Sequence, residues 1–232
     1  MVKKRTFNQM VTCIIPAYNE ESRISKVLIP IINHPFIDEV IVVDDGSTDK
    51  TMDILKKFKK IRLIRNNKNL GKTFSVFRGI RASRNNIIFL LDADLINLNR
   101  ENISRLIFPV VNKDAEVTIA LLGNIAAFRI IGADSGSGQR VFHKNILKSG
   151  MLDRLERYGL ESYINQIIIS HKLSLKIVDW KNVGCTSKGE KASSNFPVWA
   201  YVSMWIQMIK TVGLLGFFLQ SFQLAKLNLK NE

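Results

Sequence analysis

Residues 87–94 read Ile87-Ile88-Phe89-Leu90-Leu91-Asp92-Ala93-Asp94. An apolar run this short, closed by carboxylates, suits a buried β-strand better than a helix. The same construction occurs upstream. Val11–Pro16 is continuous and apolar and leads into Tyr18-Asn19-Glu20, and Glu39–Asp44 leads into Asp45-Gly46. Helical patterns lie between the runs. Ser22 to Asn33 sets Ile24, Val27, Leu28, Ile31 and Ile32 on one stripe. Ser47 or Thr48 is a candidate cap for a helix whose inner face is Met52, Ile54, Leu55 and Phe58. Ile61–Ile64 predicts a further short strand, Lys72–Ser83 a helix, and Asn99 a cap for a helix over Arg100–Val111. Glu116–Leu122 predicts another strand. Strands alternating with helices predict an α/β fold, a Rossmann-like, mostly parallel sheet flanked by helices. Ligands of such sheets bind at the carboxyl ends of the strands, which is where the three acidic or polar clusters fall.

The chain has 232 residues, enough for one large domain and a core without staples. Its two cysteines, Cys13 and Cys185, exclude a disulfide framework and point to a reducing compartment. Met1 to Met10 is basic, but the apolar stretch behind it ends at Pro16, too short for a secretion signal, so a cytosolic location is expected. A net charge of +14 attracts polyanions: nucleic acid, anionic lipid or phosphorylated substrates. A nucleic-acid module would show a basic stripe interleaved with stacking aromatics. Here the strand ends are acidic and the aromatics gather near the C-terminus, so no nucleic-acid partner is expected.

Each cluster has a chemistry. Asp92 and Asp94 straddle a strand end, where carboxylate oxygens suit a hard cation such as Mg²⁺ or Mn²⁺ bridging diphosphate oxygens. Asp44-Asp45-Gly46-Ser47 offers a carboxylate to a base or ribose, or is simply a turn with a helix cap. Asn69-Leu70-Gly71-Lys72 precedes a helix and suits a diphosphate, or is a plain loop. It lacks the second glycine of a P-loop.

Taken in order, Pro16-Ala17-Tyr18-Asn19-Glu20-Glu21, Val42-Val43-Asp44-Asp45-Gly46-Ser47-Thr48-Asp49, Asn69-Leu70-Gly71-Lys72 and Leu91-Asp92-Ala93-Asp94 resemble the signature of family 2 glycosyltransferases with the GT-A fold. Gly138-Gln139-Arg140 and Tyr158-Gly159-Leu160-Glu161 are similar to acceptor-side motifs of the branch holding polyprenyl-phosphate (dolichol-phosphate) sugar transferases and glucosyl-3-phosphoglycerate synthases. The resemblance implies transfer of a sugar from a UDP- or GDP-linked donor, assisted by Mg²⁺ or Mn²⁺. It implies that Pro16, Ala17, Tyr18 and Glu20 line the nucleoside pocket and that Asp45 meets the base or ribose. By the same resemblance Gly71 and Lys72 would belong to the donor site, with Lys72 near Asp45, Asp92 would touch the ribose or metal-bound water, and Asp94 would ligate the metal. Arg140 would pair with a phosphate, or be a surface arginine. Glu161 would be the acceptor-side carboxylate, or only complement a helix dipole. A polyprenyl-phosphate acceptor is already ionised and needs no strong base. A soluble hydroxyl acceptor would call on Glu161 or Asp134.

The second half is less regular. Residues 123–142 are rich in Gly, Ser and Ala, Glu161–His171 reads as a helix, Ser174–Val178 as a strand, and Val183–Asn195 as a polar loop. By the resemblance, Cys185 stands where related transferases carry a metal-ligating His. A thiol is a poor ligand for a hard ion. The expectation is therefore that Asp94, diphosphate and water hold the metal, with Lys188 or Lys191 sharing the diphosphate charge. A transferase domain over 1–196 is followed by an aromatic-rich helical tail over 197–232. Lys210 interrupts its apolar run, so a helix lying on the cytosolic face of a membrane is expected rather than a span, with packing on the domain as the alternative.

Overall fold

The computed structural model describes residues 10–123, 126–147, 159–185 and 214–230. The expectations placed on residues 1–9, Tyr158, Lys188, Lys191 and 198–213 lie outside them. Strands β1 (Val11–Ala17), β2 (Ile37–Asp44), β3 (Arg62–Arg65), β4 (Ile87–Leu90), β6 (Val117–Leu122), β7 (Arg140–His143) and β8 (Leu175–Trp180) form one sheet. Its order is β3-β2-β1-β4-β7-β6-β8. Only β7 runs antiparallel to its neighbours. A two-stranded ribbon pairs β5 (Leu95–Ile96) with β9 (Gly184–Cys185).

The pleat explains why the central strands are apolar on every residue. In β1, Cys13 and Ile15 face one core layer and Ile14 the other. The first layer is closed by α1 (Ile24–Ile31) and α4 (Arg100–Val111), through Val27, Leu28, Ile103 and Leu106. The second is closed by α3 (Lys72–Ala82), α6 (Leu160–His171) and α7 (Leu214–Lys230), through Val76, Ile80, Ile164 and Leu224. Burial in the first layer pushes the Cys13 thiol pKa up, so it is an inert packing group. Asn99 caps α4 as its sequence predicts. Its side chain accepts from Asn102 N at 3.0 Å, and the Asn102 side chain accepts from Asn99 N at 3.2 Å.

Two readings change, and a third gains detail. The helix α2 (Thr51–Leu55) is not capped by Ser47 or Thr48. Those two bond Asn19 instead, tying the turn after β2 to the turn after β1, while Asp49 accepts from Thr51 N at 2.9 Å. The irregular stretch 123–142 contains a short helix, α5 (Ala126–Ile131), and the start of β7. Only Val141 and Phe142 are apolar in β7, and its first residue is a buried arginine, so its pattern carries no strand signal. Finally, α7 is docked on the domain. Ser221 and Leu224 are fully buried, and Asn228 accepts from Ile177 N of the edge strand β8 at 2.7 Å. Its outward face carries Leu219, Phe222 and Leu229, all exposed. Among the described residues no helix is long and apolar enough to cross a membrane.

Candidate active site

The chain passes from β1 to β2 and β3 on one side, then returns to place β4 on the other side of β1. The carboxyl ends of β1 and β4 therefore open a crevice, the switch point at which such sheets bind ligands. Pro16 and Ala17 stand at one lip and Asp92 at the other. Leu90 pairs with Arg140, so the residues just before antiparallel β7 arrive at the same end. The first turn of α6 brings Glu161 there.

These elements meet in one ionic cluster. Lys72 Nζ lies 2.6 Å from Asp92 Oδ1 and 2.9 Å from Glu161 Oε1. Gln139 Nε2 donates to Asp92 Oδ2 at 2.8 Å. Burial alone would lower the Lys72 pKa, but the two carboxylates outweigh it and raise it, so the ammonium stays charged. Gly138 packs against the pair. A Cβ there would come 2.4 Å from Asp92 Oδ2 and 2.6 Å from Lys72 Nζ. The cluster lines a small open recess together with Pro16, Val76, Leu91, Leu160 and Ile164. Lys72, at the start of α3, thus joins Asp92, just after β4, to Glu161 in the first turn of α6.

On the other side of β1, Asp45 is nearly buried. Its Oδ1 accepts from Asn66 Nδ2 at 2.6 Å and Leu70 N at 2.9 Å, and its Oδ2 from Gly71 N at 2.8 Å. It therefore fastens the 66–71 loop to the end of β2. The Gly71 N–H, expected near a diphosphate, is directed to Asp45 in this structure. Gly46 lets the two loops meet: its φ is +73°, and a Cβ would approach Lys68 C to 2.7 Å. Tyr18 is exposed beside this turn. Glu20 is buried against Arg23, with Oε2 to Nε 2.7 Å, and its N–H donates to Thr51 Oγ1, so it anchors the start of α1.

Arg140 is no surface arginine. It is fully buried and donates to Ser137 O at 2.6 Å, Ser135 O at 2.9 Å, Asn165 Oδ1 at 2.7 Å and Glu161 O at 3.3 Å. Burial lowers its pKa, with Glu161, Asp134 and Asp92 opposing that. Where the resemblance implies a phosphate contact, the structure shows a clamp on the loop before β7. Asp134 lies buried nearby and accepts from Gly136 N at 2.8 Å. Burial raises its pKa to about 6. Gln139 and Asn165 received no role from sequence reading. Its position four residues after Glu161, on the same face of α6, was the available signal for Asn165.

Asp94 lies partly buried in the turn between β4 and β5. Cys185 pairs with Leu95, one residue from Asp94. Its side chain packs on the first core layer. Among the described residues no group of three or more His, Cys, Asp or Glu could hold a metal by itself. Two strand-end carboxylates do fit a hard cation whose other ligands come from a diphosphate and water.

A mostly parallel sheet with its polar cluster at the switch point defines a nucleotide-binding α/β protein of the GT-A kind. The model of the family "Glycosyl transferase family 2" matches residues 12–153, and the chain belongs to that family. Among curated proteins it is 27% identical over 212 residues to UDP-N-acetylglucosamine--dolichyl-phosphate N-acetylglucosaminyltransferase of Methanococcus voltae, covering 73% of this chain and 83% of that one. It is 38% identical over 96 residues to a dolichyl-phosphate beta-glucosyltransferase of Trichomonas vaginalis, covering 36% of this chain and 28% of that one. Among solved structures, glucosyl-3-phosphoglycerate synthase of Mycobacterium tuberculosis, in complex with Mn²⁺, UDP-glucose and phosphoglyceric acid, shares the fold. The TM-score is 0.68 at 22% identity, over 92% of this chain and 80% of that one.

Proposed function

We propose that this protein transfers a sugar from a UDP- or GDP-linked donor to a polyprenyl phosphate at the cytosolic face of a membrane. The observation that supports the reading is the Lys72 bridge between Asp92 and Glu161, the residues to which this reading gives the donor and acceptor sides. Pro16, Ala17 and Tyr18 line the nucleoside side, with Glu20 and Asp45 setting the shape of its loops. Asp92 and Asp94 would hold the cation, and Lys72 would face the diphosphate. A Mg²⁺ or Mn²⁺ ion, when bound, neutralises charge that builds on the departing nucleoside diphosphate. The acceptor oxygen gives its electron pair to the anomeric carbon, and the bond to the diphosphate oxygen breaks with its pair on that oxygen. A phosphate acceptor is ionised at neutral pH, so the protein orients it rather than deprotonating it. Glu161 and the Arg140 clamp shape that side. The relatives named for dolichyl phosphate support this acceptor class.

A soluble hydroxyl acceptor is the second reading. The raised pKa of Asp134, about 6, favours it, since a general base works best when its pKa lies near the working pH. The test is a thermal-shift panel of UDP- and GDP-sugars with and without Mn²⁺, followed by transfer assays with a polyprenyl phosphate and a phosphorylated soluble hydroxyl compound. A binding ligand raises apparent stability by mass action. A metal-dependent shift with one nucleotide series, and product only on the lipid, is expected. No shift with any donor would overturn the reading. Asp94→Asn should abolish the metal-dependent part of the shift and cut turnover about 100-fold or more while the melting temperature without ligand holds.

A further inference from the structure

The loop 134–139, which delivers Gly138 and Gln139 to the ionic cluster, is held from behind by the C-terminal helix. Ser221 Oγ donates to Ser135 Oγ at 2.8 Å, and Ser135 N donates back to Ser221 Oγ at 3.3 Å. Asn165 Nδ2 donates to both Ser135 O, at 2.8 Å, and Gln220 Oε1, at 3.2 Å. Gln220 Nε2 reaches Ser162 O at 3.4 Å, beside Glu161. On the site side, Ser137 Oγ donates to Gln139 Oε1 at 3.0 Å, and Gln139 Nε2 to Asp92. Ser135, Asn165, Arg140 and Ser221 are all fully buried.

A surface helix that docks only to cover apolar area would present leucines to its partner. α7 presents Gln220 and Ser221 as well as Leu224: Ser221 bonds Ser135 of the loop, and Gln220 bonds Asn165 and Ser162 of α6, the former itself bonded to Ser135. Buried polar groups cost free energy unless each finds its partner, so such a set has one satisfied arrangement and holds it firmly. The arrangement it holds is the one that aims Gln139 at Asp92.

We infer that Ser221 and Gln220 are positioning residues of the site. They act through Ser135 and Asn165 to fix the loop that orients Gln139 against Asp92, and so make α7 part of the catalytic apparatus. Neither touches the crevice. The inference rests on the transferase reading for its kinetic arm only.

The experiment uses the full chain, as wild type, Ser221→Ala, Gln220→Leu, Gln139→Ala and the double variant Ser221→Ala/Gln139→Ala. Backbone hydrogen exchange is followed by mass spectrometry, and nucleotide binding and sugar transfer are measured on each. Ser221→Ala and Gln220→Leu should each speed exchange over residues 134–139 while leaving β1 and β2 unchanged. Nucleotide affinity should stay within about twofold, because the nucleoside side is built from other loops, and kcat should fall about tenfold. In the cycle, the double variant should be no slower than Gln139→Ala by more than about twofold, since both changes remove one effect. Exchange over 134–139 unchanged in both single variants overturns the inference. So do multiplicative rate losses in the double variant, which mark general destabilisation. A wild type without transfer activity, together with faster loop exchange in the variants, would sink the proposed function and leave the positioning role standing.

Discussion

Two residues of the site make separable claims. Gly138 leaves room for the Asp92–Lys72 pair, and an added Cβ would intrude on the ends of both side chains. Those ends are flexible, so Gly138→Ala should leave the stability within about 1 kcal/mol of wild type. The displaced ion pair should cost about 100-fold in transfer rate, because misplacement by an ångström is enough. Denaturant melts and a donor-turnover assay on the same preparation test this, and parallel loss of both would refute it. Asp134 carries the opposite signature. Burial chiefly raises its pKa from 3.8 to about 6, against Arg140 and with Glu161. The fold therefore prefers the protonated acid. That contribution is complete below about pH 4 and is lost as pH rises through 6, a swing on the order of 2–3 kcal/mol. Urea midpoints of wild type against Asp134→Asn between pH 4 and 7 should converge at the acid end and separate toward neutrality, with the wild type the less stable. Parallel curves would show that Asp134 does not titrate in this window. Asp92, Lys72 and Glu161 were legible in the sequence because each ends or begins an element with a clear pattern. Gln139, Asn165 and Ser221 were not, because their significance lies in contacts between residues 30 to 86 positions apart.

Among the elements, α4 shows how fully local chemistry dictates a helix. Its start, cap and end agree with the pattern read from Asn99 to Val111, because a reciprocal cap satisfies the orphan N–H groups within one turn. Asn99→Ala should lower the unfolding free energy by about 1 kcal/mol without changing nucleotide binding. Chemical denaturation checks the first part and calorimetric titration of UDP or GDP the second. A change in binding would mean that α4 has a share in the site that its position does not suggest. The strand β7 is the contrary case. Its register opposite β4 and β6 is set by those neighbours and by the buried Arg140 clamp, so its own four residues carry little information.

For the molecule as a whole, the docking of α7 changes how membrane contact is to be tested. Removing the tail would strip Leu224 and Ser221 from the core and loosen the loop before β7. The outward face alone should be altered. With a net charge of +14 and exposed Leu219, Phe222 and Leu229, the protein should sediment with anionic vesicles, less so as salt rises. Leu219→Ser/Phe222→Ser/Leu229→Ser should weaken this at unchanged melting temperature. Equal recovery of both forms in the supernatant at low salt would count against a lipid-facing helix.

The sequence by itself determined the alternating α/β organisation and the carboxylates at the ends of β2 and β4. It also determined the family signature over the first strands, because strand burial, helix periodicity and strand-end turns are encoded within a few residues of one another. The tertiary structure alone decided that β4 lies beside β1 to open the crevice, and that an antiparallel strand enters the sheet. It alone decided that Lys72 joins Asp92 to Glu161 and that the far C-terminal helix braces the loop beside them. Those features arise from pairing and packing among segments distant in the chain, where the energy of burying one polar group depends on which other group meets it.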